Sequence, residues 1–414
     1  MQSALRTAAA GLIGNVLEWF DYAVYGYFSK EIGSQFFPES MDPTDKDLLT
    51  FAVFWVGFAA RPAGGIVLGM IGDRIGRRAL LTVSIAMMGV ATLVIGCLPT
   101  YDTLGIAAPI LLALMRIVQG FSLGGEFTGS MVYTTELASP LMRGIISSST
   151  AAGTTLGFIL GSGTAWLVNR TLGHEVAADW GWRIPFIASL SLVVIGYFLR
   201  RGIEEPPQAA KAAEERAPIL QSLLADWKPI LQTFGIVAMT NAAYYLAFTF
   251  AVEKRKGEDT DFQLVNTISL FVVLVGKVFG GWLSDRVGRR RLMIMLTILL
   301  MAVLYVGLDM MMYGDPTRFF AGQVMLGLPL AMALGLQGAM IVEIFPLRTR
   351  VTSMSFAYSI TLALAGGLAP FAATWMIDVL DMPMAPVFLV IGYGLIGLPV
   401  MIGMRETNTR RLDE

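Results

Sequence analysis

Charge is scarce in this chain. Only 30 Lys or Arg and 31 Asp or Glu occur among 414 residues, a charged share of 15%, where a soluble domain carries about 25%. A surface that poor in charge needs lipid around it rather than water. The net charge of −1 supplies no basic field to hold nucleic acid and no polybasic anchor for a membrane surface. Cysteine and histidine occur once each. Cys97 has no partner for an intrachain disulfide, and Cys97 with His174 is too small a ligand set for a metal site of thiolates or imidazoles. His174 reads as a solvated loop residue. The same scarcity removes Ser/His/Asp and Cys/His catalysis, so neither an enzyme nor a bound cofactor is expected.

Apolar residues are plentiful, at 55%, and they come in runs. A helix needs about 20 mostly apolar residues to cross a hydrocarbon core about 30 Å thick. Twelve windows qualify, at 9–36, 48–71, 79–98, 105–134, 145–169, 184–200, 228–252, 263–284, 292–313, 319–343, 352–378 and 386–404. The expected fold is an all-α membrane protein with twelve transmembrane helices. Arg6 ahead of the first run imitates a secretory signal, but Glu18 and Asp21 interrupt that run and no small-residue cleavage site follows. A retained helix is expected.

Lys and Arg set the orientation. With the N-terminus inside, cytoplasmic segments hold nineteen of them and outer loops eight, while Arg61, Arg116 and Lys277 lie within helices. Both termini are therefore expected in the cytoplasm, and the chain as a multi-pass monomer of the inner membrane, in contact with the lipid bilayer. A polar segment at 201–227 separates a six-helix half at 1–200 from another at 228–404, with a cytoplasmic tail at 405–414. The halves repeat. Gly69, Asp73, Arg74, Gly76, Arg77 and Arg78 recur at a constant offset of 212 as Gly281, Asp285, Arg286, Gly288, Arg289 and Arg290. Glu136, Pro140 and Arg143 recur near an offset of 207 as Glu343, Pro346 and Arg350. Parallel repeats place a substrate site between the halves, near the membrane midplane.

The loop from Gly69 to Arg78, present twice, resembles the signature between helices two and three of the major facilitator superfamily. That resemblance implies two six-helix pseudo-repeats in the major facilitator fold. An aspartate at a helix end can pair with arginine across the loop and with a neighbouring helix terminus, locking one side of the protein in one state. Gating is therefore expected from Gly69, Asp73, Arg74, Gly76, Arg77, Arg78, Glu136 and Arg143, and from Asp285, Arg286, Gly288, Arg289, Arg290, Glu343 and Arg350. A narrower resemblance runs through nearly the whole chain. Gly14, Asn15, Glu18, Trp19, Phe20, Asp21 and Tyr22, then Arg61, Pro62, Gly64 and Gly65, then Gln119, Gly120, Gly124, Gly125 and Glu126, then Asp179, Trp180, Gly181, Trp182, Arg183, Pro185 and Phe186 resemble the metabolite:H+ symporter family. Its members carry proline and glycine betaine, 2-oxoglutarate, citrate or shikimate. The chain departs from the proline/glycine-betaine transporters after helix seven, where Glu253, Lys254, Arg255 and Lys256 replace an apolar stretch. It departs again at its end, ten residues past Met404, with no coiled-coil extension. The resemblance implies osmoprotectant transport, and these two departures weigh against osmotic sensing and against betaine as the substrate.

Once charges in loops, tails and helix ends are set aside, six remain inside the membrane: Glu18, Asp21, Arg61, Arg116, Glu126 and Lys277. Each costs roughly 2.5 to 3.5 kcal/mol at a bilayer centre and so needs a partner or an aqueous cavity. Asn15, Glu18, Tyr22 and Tyr25 share a helical face, as do Arg116, Gln119, Glu126, Ser130 and Tyr133. Arg61 or Arg116 is the expected receptor for a substrate carboxylate, because a guanidinium fork matches it in a bidentate way. Substrate contacts are expected from Asn15, Tyr22, Tyr25 and Gln119 in the first half, and from Asn241, Tyr244, Tyr245, Gln323 and Gln337 in the second. Glu18, Asp21 and Glu126 are the proton-coupling candidates. A carboxyl taken out of water holds a proton nearer neutral pH, and a nearby arginine opposes this. A fixed structural ion pair is the competing reading for each of these charges.

Gly153, Gly157 and Gly161 are expected to pack helix five closely, and Trp180, Trp182 and Arg183 to anchor at the membrane interface. Together these readings predict a symporter that imports a small organic acid or zwitterion with protons as the coupling ion, by alternating access. Three acidic and three basic intramembrane residues suit a zwitterion or monoacid better than a tricarboxylate. Two alternatives stand beside it. One is a proton-coupled antiporter expelling a drug or siderophore-like metabolite, although the Gly-Pro dipeptide that resembles an antiporter signature is absent from Ile145 to Asn169. The other is a membrane sensor on a transporter scaffold.

Overall fold

A computed structural model describes residues 2–75, 77–200, 219–256 and 262–408. Twelve long helices follow one another: α1 (Gln2–Tyr27), α2 (Pro43–Ala59, continued by Arg61–Ile75), α3 (Arg77–Cys97), α4 (Ala107–Leu123, continued by Glu126–Leu137), α5 (Arg143–Leu172) and α6 (Arg183–Arg200). Then come α7 (Trp227–Lys254), α8 (Phe262–Val287), α9 (Arg289–Tyr313), α10 (Pro316–Ile344), α11 (Arg350–Val379) and α12 (Ala385–Gly403). Among the described residues, nine of these, α2, α4, α5 and α7 to α12, are long and apolar enough to cross a membrane.

Local chemistry fixes the helix ends. Asp42 and Asp315 cap α2 and α10, accepting from the backbone N–H of Thr44 at 2.8 Å and Arg318 at 2.9 Å, and proline follows each cap at the first helical position. Gly288 turns α8 into α9 at φ 101°, and a Cβ there would meet the Glu406 carboxylate at 2.7 Å. That carboxylate caps α9, accepting from the N–H of Arg289 at 2.8 Å and of Arg290 at 3.1 Å. Burial pushes the Glu406 carboxyl up, but the N–H groups of Arg290, Thr407 and Arg289 more than reverse this and hold it below the ordinary value.

Several windows hold breaks that apolar patterning does not display, two of them at α1 and α4. The run 9–36 is two helices, α1 and a short helix Ser29–Phe36. The freed carbonyl of Tyr27 accepts from Lys256 Nζ. In α4 the ladder is interrupted at Gly124 and Gly125, where the backbone of α2 comes so close that a Cβ on Gly124 would lie 2.1 Å from the Arg61 carbonyl oxygen.

The packing of one half repeats in the other. α1 packs on α5 and α6, α3 on α4 and α6, and α2 on α4; six helices later, α7 packs on α11 and α12, α9 on α10 and α12, and α8 on α10. The halves meet where α5 lies against α8 and α10, and where α11 lies against α2 and α4. Gly157 of α5 meets α1 so closely that a Cβ would lie 2.8 Å from the Val16 carbonyl oxygen. Ile106, at the N-cap of α4, and Ile110, Leu114 and Ile117 on it, each three or four residues apart, point outward and exposed, as a lipid-facing stripe does. Trp182 corrects one expectation. It is wholly buried, edge-on to Phe36 and Phe186, and Arg183 beside it donates to the carbonyls of Gly96 and Leu98, so the pair ties α3 to α6 rather than anchoring at the interface.

Candidate functional site

A cavity of ≈ 30 Å³ lies between the halves, with room for about one or two water molecules. The first half lines it with Trp19 of α1, Phe127 and Met131 of α4, and Ala151, Thr154 and Phe158 of α5. The second contributes Asn241, Tyr244 and Tyr245 of α7, Lys277 of α8, Leu334 and Gln337 of α10, and Tyr358 of α11. The rings interlock, with Phe158 edge-on to Tyr244 at 5.1 Å and Phe127 against Tyr358 at 5.3 Å. The buried hydroxyls of Tyr244 and Tyr245 have no hydrogen-bond partner among the described residues. In a native interior such groups are rare and call for a ligand, ion or water.

Behind the wall sits a line of buried polar groups. Arg116 donates to Gln119 Oε1 at 2.9 Å, Gln119 Nε2 donates to Thr92 Oγ1 at 2.7 Å, and the Thr92 hydroxyl donates to Asp21 Oδ2 at 2.7 Å. The Tyr22 ring stands between two guanidiniums, with Arg61 at 4.6 Å and Arg116 at 4.4 Å from its centroid. Arg61 also lies over Trp19 at 5.0 Å and Phe58 at 4.7 Å. Cation–π contacts of this kind stabilise a buried charge without neutralising it. Trp19 of the cavity wall is therefore connected to the polar line through Arg61 and Tyr22.

Both faces of the protein are latched across the halves. On the face where α8 joins α9, Asp285 accepts from the N–H of Gly144 at 2.8 Å and Ile145 at 3.0 Å, capping α5 of the other half, and pairs with Arg289 at 3.2 Å. Arg143 approaches Glu343 at 3.7 Å, Arg289 pairs with Glu343 at 2.8 Å, and Arg350 pairs with Glu136 at 2.7 Å. Arg286 packs on the Trp282 ring at 3.7 Å, and Arg290 holds the end of α12 through the carbonyls of Met401 and Ile402. In the first copy of this loop Gly76 lies outside the described residues, while Gly69, Asp73 and Arg74 fall at the end of α2 and Arg77 and Arg78 at the start of α3, with the structure describing their backbone alone.

On the opposite face, Lys256 pairs with Glu31 of the other half at 2.7 Å and with Glu253 at 3.6 Å, and Ser29 donates to Glu253 at 3.2 Å. Burial works against the Lys256 charge, but Glu253 and Glu31 outweigh it and hold the ammonium above the ordinary lysine value. Tyr27 donates to the Phe248 carbonyl at 2.8 Å, in a π-helical turn of α7 at Leu246–Phe250 between the cavity and this latch. Such turns recur at functional sites because they loosen the helical ladder. Neutralising the pair in E31Q/K256Q is expected to speed alkylation of a cysteine at position 245 (Tyr245→Cys, Cys97→Ala) about fivefold, the effect of removing about 1 kcal/mol from the closed form. An unchanged rate means that the pair does not hold this face shut.

Of the expected substrate contacts, Asn241, Tyr244, Tyr245 and Gln337 line the cavity. Arg61, Arg116, Gln119, Tyr22 and Tyr25 lie in the layer behind it, and Asn15 donates to Ser130 at 3.1 Å within the first half. Gln323 is engaged elsewhere, donating to the Ala247 carbonyl and Asn266. Among the proton candidates Asp21 joins the polar line, Glu18 is buried on α1, and Glu126 is half-buried at the restart of α4. Tyr133 is exposed and leaves the proposed stripe. Patterning gave no signal for Thr92, Thr154 or the ring wall of Phe127, Phe158 and Tyr358. Glu253, an outer-loop residue by sequence, is buried within α7. No three of His, Cys, Asp or Glu converge as a metal set among the described residues.

Residues 7–217 match the family described as sugar (and other) transporter, and 233–412 match the major facilitator superfamily. The chain is 33% identical to a proline/betaine transporter of Salmonella typhimurium over 425 residues, covering 98% of this chain and 84% of that one. It is 32% identical to the glycine betaine/proline/ectoine/pipecolic acid transporter OusA of Dickeya dadantii, at the same coverage of 98% and 84%. It is 34% identical to the inner membrane metabolite transport protein YhjE of Escherichia coli, covering 91% and 88%. The fold superimposes on the proton:xylose symporter XylE with a TM-score of 0.78 at 18% identity, over 99% of this chain and 98% of that one.

Proposed function

This chain belongs to the major facilitator superfamily, among its sugar and metabolite transporters, and we propose that it is a proton-coupled symporter importing a small organic acid or zwitterion by alternating access. It lies in the inner membrane with both termini in the cytoplasm. The observation that carries the reading is the buried line from Arg116 through Gln119 and Thr92 to Asp21, one ring layer behind the cavity. A proton arriving at Asp21 cancels the charge opposite Arg116. A substrate entering the cavity displaces Trp19, whose ring carries Arg61. The two events meet at Tyr22, which touches both guanidiniums. The latches on the two faces then open in turn, each held by pairs that cross the halves, so that the cavity never opens to both sides at once.

The relatives named for proline and betaine support a zwitterion over a polyacid and return betaine to consideration. Purified protein in vesicles with an alkaline interior is expected to accumulate labelled proline or betaine above equilibrium and to lose that accumulation with a protonophore. If neither these nor 2-oxoglutarate, citrate or shikimate accumulates, the import reading fails. Gradient-driven extrusion of a cationic dye instead establishes the antiporter.

A further inference from the structure

Three basic side chains lie inside the membrane, and only one of them opens on the cavity. Arg61 and Arg116 sit behind the ring wall, whereas Lys277 lines the space itself and is 3% exposed. Its Nζ donates to Thr154 Oγ1 at 2.9 Å and to the Ala151 carbonyl at 3.1 Å, both on α5 of the other half. These acceptors are neutral. No carboxylate pairs with Lys277 among the described residues, and its remaining contact is the Tyr244 ring, 5.4 Å away. An ammonium has three donors, so one remains for a ligand. The repeat offset of 212 pairs Lys277 with Gly65, so the charge is absent from the corresponding place in the first half. The repeated architecture therefore does not account for this lysine.

An unpaired cation in a bilayer core is costly, and function is its default explanation. The rest of the cavity is of opposite character. Trp19, Phe127, Phe158, Tyr244, Tyr245 and Tyr358 present aromatic surface, which attracts an alkylated ammonium through the ring quadrupole and repels a second carboxylate. Asn241 and Gln337 add amide dipoles without charge.

We propose that Lys277 is the receptor for the substrate's carboxylate and that the ring wall takes the alkylated ammonium end of the same molecule. The assignment rests on the symporter reading above and deepens it, replacing Arg61 and Arg116 as receptors and leaving Arg116 to the proton line. It selects a small zwitterion with one carboxylate over sugars, which offer neither charge, and over dicarboxylates, whose second charge finds no cation in the cavity. The present ≈ 30 Å³ is too small for such a molecule, so the rings part when a face opens.

Three probes separate the ends of the molecule: betaine carries both charges, choline lacks the carboxylate, and 3,3-dimethylbutyrate lacks the ammonium. Binding is read on the purified full-length protein by calorimetry, with thermal melting as the check on folding. The wild type is expected to bind betaine at least about tenfold more tightly than either analogue, the scale of a charge-assisted hydrogen bond. K277Q is expected to lose that preference, with betaine falling to the choline level and choline within about twofold of wild type, while K277R keeps the order of the probes. Equal weakening of betaine and choline, or none, overturns the assignment. Should K277Q fail to fold, the wild-type series still decides, because choline binding as tightly as betaine leaves no carboxylate receptor to assign. If the wild type binds betaine and K277Q binds it equally, only Lys277 is wrong. If the wild type binds none of the three, the zwitterion reading falls with it.

Discussion

Replacing Asp21 by Asn is expected to abolish pH-gradient-driven accumulation, by at least about tenfold, while substrate exchange across the same vesicles stays within about threefold of wild type. The direction of the hydrogen bonds is the reason. Every donor in the line points towards Asp21, from Arg116 to Gln119, from Gln119 to Thr92, and from Thr92 to the carboxylate. Such an order suits an acceptor-only group at its end, which is an ionised carboxylate. Protonation needs only one hydroxyl to turn. The Thr92 oxygen lies 2.9 Å from the Met88 carbonyl as well, so its proton can swing there and leave a lone pair to receive the new Asp21 O–H. Gln119 keeps its bond throughout, because a hydroxyl oxygen has two lone pairs. Asn at position 21 imitates the protonated form and cannot cycle, so the gradient loses its handle while the cavity and latches remain. Exchange assays and gradient-driven uptake on one preparation check this. If D21N still accumulates substrate against the gradient, the proton site lies elsewhere, with Glu18 and Glu126 next in line.

Gly120→Ala is expected to prevent normal folding. A Cβ at this position would lie 1.7 Å from the Gly57 carbonyl oxygen, well inside the contact distance of any two atoms, and both groups belong to backbone that a rotamer change does not move. Overpacking of a core costs about 1 to 3 kcal/mol and occasionally more, and a backbone collision belongs at the upper end. The expected result is a melting temperature lowered by several degrees or protein recovered as aggregate. Gly129→Ala is the control on the same helix, since nothing lies within 4 Å of its added Cβ, and it is expected to melt as the wild type does. A normal G120A melt disproves the close approach of α2 and α4. The second half uses the same device, since a Cβ added at Gly335 would lie 1.9 Å from the Lys277 carbonyl oxygen, so the cavity lysine is itself positioned by a glycine on α10.

The helices were legible because lipid demands long apolar runs, and those runs survive any detail of packing. The breaks were not. Residues 27–29 and 124–125 interrupt helices for tertiary reasons: a carbonyl given to Lys256, and a backbone crossing at Arg61. Placing Arg61 and Arg116 near the midplane follows from counting residues, but counting does not say which side of an aromatic layer a guanidinium takes. Tyr22, Trp19 and Phe58 decide that, and their arrangement exists only once α1 and α2 have met. The pairing of Glu31 with Lys256 joins positions 225 apart, and nothing local in either loop announces it. Lys277 is the opposite case. Its mark, a charge where the repeat has Gly65, was present in the sequence and needed only comparison of the halves.

Arg143 meets Glu343 and Arg350 meets Glu136, and by the repeat Glu343 is the counterpart of Glu136 and Arg350 of Arg143. Residue i of one half touches j of the other, and j touches i, which is the isologous pattern of a symmetric homodimer. Each half thus carries both members of the bond that closes it, so two identical copies of either half are self-complementary at this face. Halves joined in one chain need not be identical, and the cavity departs from the symmetry of the latch, with Lys277 on one side and Gly65 at the corresponding place of the other half.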